Sequence, residues 1–107
     1  KVKRYDLAEA SFRKALSIKK NDVYAMNNLA ILFLETGNLG EAKRWGETAV
    51  GTEPNYANGH LTLGSVYATA GDLDRAEAEF IKALEIDPSS RAARGNLERV
   101  RAEKSKR

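Results

Sequence analysis

The chain of 107 residues has no cysteine, one histidine and only two prolines. Without cysteine there can be no disulfide, no thiolate zinc site and no cysteine nucleophile. A single histidine, His60, excludes any multi-histidine metal centre and leaves at most one Ser-His-Asp arrangement on paper. Aromatic residues make up 7% of the chain. No apolar run approaches the roughly 18 residues needed to span a bilayer. Residues 1–6 lack the apolar stretch of a signal peptide. What is present is a balanced mixture, 42% hydrophobic and 31% charged, which is rich enough to bury a core and too balanced for a disordered chain. The length suits one small domain. Lack of cysteine suits the cytoplasm and leaves a periplasmic or membrane-tethered parent open.

Laid against itself with a shift of 34, the sequence comes into register. Ala8, Ala42 and Ala76 align, as do Ala15, Ala49 and Ala83, and Leu29, Leu63 and Leu97. Leu16 matches Val50 and Leu84, Phe33 matches Tyr67, Leu39 matches Leu73, Gly37 matches Gly71, and Pro54 matches Pro88. A fixed period between about 20 and 50 residues is the mark of stacked supersecondary units. Each unit reads as two helices. From Val23 the apolar positions Met26, Leu29, Ala30 and Phe33 follow helical spacing, and Thr36-Gly37-Asn38 stops the run, because glycine accepts the left-handed backbone that ends a helix. A second helix from Leu39 through Ala42, Ala49 and Val50 ends at Glu53-Pro54, since proline has no amide donor and restricts the residue before it. The next unit repeats the design: Ala57 to Ala70, a Gly71-Asp72 turn, Leu73 to Ile86, then Asp87-Pro88. Ala42 and Ala76 stand where two helices must approach closely.

This pattern resembles the tetratricopeptide repeat, whose signature is Trp-x2-Leu-Gly-x2-Tyr, then Ala-x3-Phe and a closing Pro. In one unit it reads His60, Leu63, Gly64, Tyr67, Ala76, Phe80, Ala83 and Pro88, and in the preceding unit Met26, Leu29, Ala30, Phe33, Ala42, Gly46, Ala49 and Pro54. The resemblance implies an all-α, right-handed superhelical solenoid of antiparallel helix pairs, with about six helices in this chain. The register predicts that residues 1–22 are the second helix of a truncated repeat, 23–56 and 57–90 are full repeats, and 91–107 form a capping helix and basic tail. A start in mid-unit resembles a fragment of a longer array, and a polar last helix suits an end that faces water. Gly46 departs from the pattern by replacing the ring found as Phe12 and Phe80; Trp45 beside it either swings in to fill the gap or stays a surface aromatic. Lys20 stands in place of the closing proline, so that boundary depends on the helix-capping pair Asn21-Asp22.

Charge is unevenly spread. Residues 1–22 carry seven basic and three acidic groups, residues 23–90 four and ten, and residues 91–107 seven and two, for a net charge of +3. The basic tail (Arg91, Arg94, Arg99, Arg101, Lys104, Lys106, Arg107) could touch nucleic acid or an anionic surface. No aromatic interleaves these charges to stack on bases, so a solvated helix end whose cations complement the dipole is the preferred reading. Catalysis finds little support. His60 sits at the large-residue position of the repeat and reads as a packing histidine. Gly37-Asn38-Leu39-Gly40 lacks the lysine and spacing of a phosphate loop. Asp72/Asp74 and Glu77/Glu79 read as a helix start and an outer, hydrated face. No cofactor and no metal is expected.

In the family, stacked first helices line a concave surface that receives an extended peptide or a partner's helix. The resemblance carries this role to Tyr24, Asn27, Asn28, Ile31, Leu34 and Glu35, then to Asn58, Leu61, Thr62, Ser65 and Thr69, and finally to Asn96 and Arg99. One sub-family clamps a terminal carboxylate with lysine, asparagine and arginine; Asn27, Ile31, Asn58 and Thr62 stand at the matching positions, which disfavours that clamp. Asn28, Thr62 and Asn96 recur every 34 residues and partly resemble the asparagine ladder of O-linked N-acetylglucosamine transferase repeats. An amide both donates and accepts hydrogen bonds, so such a ladder can pair with a peptide backbone whatever its sequence. The expected function is a non-catalytic scaffold for another protein, with self-association into homo-oligomers as the alternative and nucleic acid as an improbable partner.

Overall fold

The computed structural model describes residues 2–107, with side-chain surroundings from Arg4 onward; Lys1 of the basic amino-terminal set lies outside the described residues, as do the side chains of Val2 and Lys3. Among the described residues the chain forms α-helices and no strand: α1 (Val2–Ile18), α2 (Val23–Thr36), α3 (Leu39–Thr52), α4 (Ala57–Thr69), α5 (Leu73–Ile86) and α6 (Arg91–Ser105). Each helix packs on the next, and α2 also meets α4 as α4 meets α6, which is the layering of a solenoid. The stack measures 42 × 28 × 20 Å.

Local chemistry sets the ends. Side-chain oxygens of Asp22, Asn38, Asp72 and Ser90 each accept a hydrogen bond, at 3.2 Å, from the backbone N–H three residues on. Each thereby satisfies one of the donors that a helix start leaves orphaned. Gly37 and Gly71 take φ of 84° and 87° and close α2 and the α4–α5 turn. The carbonyls of Phe33 and Tyr67 accept from Asn38 and Asp72 there, at 2.8 and 2.9 Å. A side chain at either glycine would be strained, which is why the period repeats glycine at this point.

The core lies between the layers in two clusters. One joins Leu29, Leu32, Phe33, Ala42 and Val66, flanked by Ala8, Phe12, Leu16 and Trp45. The other joins Leu63, Tyr67, Leu73, Ala76, Phe80, Leu97 and Val100. Ala42 and Ala76 are fully buried, as the close helix approach requires. Phe80, Leu29, Leu63 and Val66 are the largest side chains wholly removed from water, each worth about 1.5–3 kcal/mol of burial.

At Gly46, which lacks the ring, α4 packs close: a Cβ there would lie 3.0 Å from Leu63 Cδ1 and 3.7 Å from Leu63 Cα. Trp45 is half-buried against the first cluster, its ring covered by the guanidinium groups of Arg13 at 5.9 Å and Arg44 at 5.8 Å. Its Nε1 is buried without an acceptor.

Candidate functional site

The face formed by α2, α4 and α6 carries the residues singled out above, and the helices distribute them at different depths. Tyr24 is exposed at the start of α2, and its ring meets Tyr56 edge-on with centroids 5.3 Å apart. Asn28, Ile31 and Glu35 are exposed along α2, with Leu34 half-buried beside them. Asn58 is exposed at the start of α4, while Leu61 is half-buried against the second cluster. Asn27 and Thr62 are buried, at 6% and 8% exposure, within the helix stack. The Asn27 Oδ1 has no hydrogen-bond partner. The repeating series Asn28, Thr62, Asn96 therefore offers asparagine near the surface at its two ends, and a buried threonine between them.

Two cavities gather these residues. Asn28, Ile31 and Glu35 line one of about 290 Å³ between α1 and α2, together with Arg4, Tyr5, Ala8, Phe12 and Leu32. Ser65, Thr69, Asn96 and Arg99 line the other, of about 270 Å³, between α4 and α6. Its floor is apolar, from Ala68, Leu73, Phe80 and Val100, and Glu103 completes the rim. The rim is internally bonded. Ser65 donates to the Leu61 carbonyl at 3.1 Å, Thr69 donates to the Ser65 carbonyl at 2.9 Å, and Arg99 Nη1 donates to Asn96 Oδ1 at 3.0 Å. Hydroxyl oxygens that have donated can still accept, and the Asn96 amide nitrogen can still donate.

Sequence reasoning missed the cavity floor and Glu103. Glu103 carried a signal, since it falls at the same point of the 34-residue period as Glu35 and Thr69. The floor carried none, because Leu73 and Phe80 belong to the second helix of the unit and reach the cavity only through packing.

Electrostatics are concentrated behind this face. On α5, Glu77 accepts from Lys104 Nζ at 2.7 Å and from Arg101 Nε at 2.9 Å. Lys104 also reaches Asp74 at 2.8 Å. These hydrogen bonds, Lys104 first, hold the Glu77 carboxyl below the usual carboxylate range, and the bonds to Asp74 and Glu77 raise Lys104. Glu79 instead faces α4 and lies 2.7 Å from His60 Nδ1. Tyr67 donates its hydroxyl to Glu47 at 2.7 Å; burial first, then that bond and the charge of Glu47, push the phenol up to about 12. Glu77 and Glu79 are thus committed to neighbouring helices, which corrects their reading as a hydrated outer face. Among the described residues no group of three or more histidine and acidic side chains could hold a metal ion. No helix there is long and apolar enough to cross a membrane.

Residues 57–90 match a family model described as tetratricopeptide repeat, and residues 11–44 match a second of the same description, together well over half of the chain. The chain belongs to the tetratricopeptide repeat family. It is 30% identical over 100 residues to heat shock protein STI1 of Saccharomyces cerevisiae, an overlap of 92% of this chain and 17% of that protein. The fold superposes on the first TPR of Spaghetti (RPAP3), solved bound to HSP90 peptide SRMEEVD. The TM-score is 0.90 at 18% identity, covering 95% of this chain and 81% of that one. A mutant O-GlcNAc transferase of Thermobaculum terrenum gives a TM-score of 0.83 at 29% identity, covering 86% of this chain and 18% of the enzyme. The chain spans less than a fifth of the length of the curated relatives it matches.

Proposed function

We propose that the face of α2, α4 and α6 is a non-catalytic interaction surface that holds an extended peptide of a partner protein. The observation that carries this reading is the pair of cavities, each with an apolar interior and a polar rim. One lies between α4 and α6, and the other lies between α1 and α2 beside the exposed Asn28, Ile31 and Glu35. Such an arrangement accepts apolar anchor side chains while the rim pairs with the peptide backbone. The similar fold that carries an HSP90 peptide supports the same reading. In this reading residues 23–56 and 57–90 act as the two full repeats that present it, 1–22 is the second helix of a truncated repeat, and 91–107 is the capping helix and basic tail. The amide, isoleucine and threonine at Asn27, Ile31, Asn58 and Thr62 do not form a cationic carboxylate clamp, so an internal peptide segment suits the surface better than a chain terminus. Arg101 and Lys104 are drawn onto α5, which removes two cations from any nucleic-acid reading of the tail.

The test titrates fluorescent peptides against the chain, beginning with SRMEEVD as the free acid and as the carboxy-terminal amide. Peptides with one aliphatic residue between polar ones follow. Acid and amide should bind alike. Asn28→Ala and Arg99→Ala, both at exposed positions, should each weaken binding by about 5- to 10-fold, the loss of one good hydrogen bond. Molar mass by light scattering accompanies every titration. Peptide binding that neither substitution alters would sink the proposal, and a concentration-dependent oligomer that excludes peptide would replace it with self-association.

A further inference from the structure

His60 is buried, with its side chain 7% exposed, and both ring nitrogens face acceptors. Nδ1 lies 2.7 Å from Glu79 Oε1 on α5, and Nε2 lies 2.7 Å from the backbone carbonyl of Pro54 in the α3–α4 turn. A neutral imidazole carries one N–H and one lone pair. Beside a carboxylate and a carbonyl, it would set a lone pair against an acceptor oxygen at one of these contacts. At that distance such a pair repels. Two arrangements satisfy both contacts: an imidazolium that donates to both oxygens, or a protonated Glu79 that donates to Nδ1 while Nε2–H donates to Pro54. Either way the pair holds one proton more than a neutral imidazole facing a carboxylate.

We propose that this extra proton is a latch that ties the turn before α4, α4 itself and α5 into one junction, and that its loss opens one of the two contacts. The groups around it leave His60 and Glu79 as the site of the change. From α5 come Glu79 and, over the Tyr67 ring at 5.9 Å, Arg75. From α3 comes Glu47, bonded to the Tyr67 hydroxyl of α4. From the turn comes the Pro54 carbonyl, which does not titrate. The junction bears directly on the concave face, because Asn58 and Leu61 flank His60 on α4. The latch is nevertheless a property of the fold and stands whether or not a peptide binds there.

The test has two readouts on the full chain. Nitrogen-15 NMR of the ring should show both nitrogens protonated, or a Glu79 carboxyl proton, at mildly acid pH. A ring with one protonated nitrogen and an ionised Glu79 throughout would overturn the proposal. Second, the opening of α4 and α5 amides should increase with rising pH as the extra proton is given up, by up to about tenfold per pH unit for one linked proton. The sign follows because the closed junction, with both contacts made, holds a proton that the opened junction does not need. Glu79→Gln should flatten this dependence even where it leaves the fold intact, and His60→Gln should do the same. Parallel pH profiles in wild type and Glu79→Gln would refute the latch, and they remain readable if His60→Gln does not fold.

Discussion

The glycines inside the helices offer one substitution at several depths, and the structure assigns its sign at each. A Cβ built at Gly64 would lie 2.6, 2.8 and 3.0 Å from Cε1, Cδ1 and Cζ of Phe80. Phe80 is 1% exposed and packed among Leu63, Tyr67, Leu73, Ala76, Leu97 and Val100. Gly95 in α6 has nothing within 4 Å of the same built atom. Gly46 lies between these extremes, since its nearest neighbour is the terminal methyl of Leu63 at 3.0 Å. Alanine at any of the three gains about 0.5–1 kcal/mol of helix propensity over glycine. At Gly95 that gain stands alone, so Gly95→Ala should stabilise by that amount. At Gly64 the methyl must displace an aromatic ring, and overpacking of this kind costs about 1–3 kcal/mol. Contacts as short as these set the cost above the gain, and Gly64→Ala should lower stability by up to about 2.5 kcal/mol, a fall in Tm of several degrees at roughly 4–8 °C per kcal/mol. Gly46→Ala should fall between the two, because a methyl terminus yields more readily than a ring. Urea unfolding followed by circular dichroism measures all three. The cavity that Phe80 lines gives the ring its room to move, so Gly64→Ala should also shrink that cavity and weaken anchoring of a peptide. A Gly64→Ala protein as stable as Gly95→Ala would refute this account of the α4–α5 interface.

Two further outcomes follow from the ionisable groups. Because Lys104 and Arg101 depress the Glu77 carboxyl, its contribution is present above the ordinary carboxylate value of about 4.3 and is lost as pH falls through the depressed native value. Wild type should therefore exceed Glu77→Gln in stability near neutrality and converge with it in acid, and the gap should narrow in high salt, since these groups face water. Parallel pH profiles for the two proteins, with the gap between them unchanged in acid, would show that α6 is not held to α5 by this network. Tyr67 works in the opposite sense: its native state keeps the proton up to about 12, so stability falls as pH rises from the ordinary tyrosine value of about 10 towards that figure. Ultraviolet titration should find one late-ionising tyrosine that Glu47→Gln shifts downward, and a set of four ordinary phenols would contradict the burial and the Glu47 bond.

The fold was legible because its determinants are local and periodic. Caps, turn glycines and apolar spacing each act within one helix or turn, and the 34-residue register multiplies them, so α2 to α5 begin and end within a residue of the expected places. The candidate surface was legible only in angle. A register position says which way a side chain points from its own helix axis, but its depth depends on how closely the next helix stacks. Asn27 and Asn28 are adjacent in sequence, yet the first is buried in the stack and the second is exposed. Thr62 shares its register position with Asn28 and Asn96 and is the one of the three that is buried, because its helix is the one with neighbours of the same kind on both sides.

Long-range partnership is the level at which the sequence falls silent, and the acidic residues of α5 show why. Glu77 and Glu79 look like one polar pair, but two residues on a helix are separated by more than half a turn and do not share a face. Glu77 turns to α6 and meets residues 24 and 27 positions later, whereas Glu79 turns to α4 and meets His60, 19 positions earlier. The close contact at Gly46 is likewise set by Leu63 of the facing helix, 17 positions later in the chain. A histidine at the large-residue position therefore carries a consequence that tryptophan or Met26 there would not. It places two nitrogens where the repeat brings a carbonyl and a carboxylate, and so makes one junction of the stack answer to a proton.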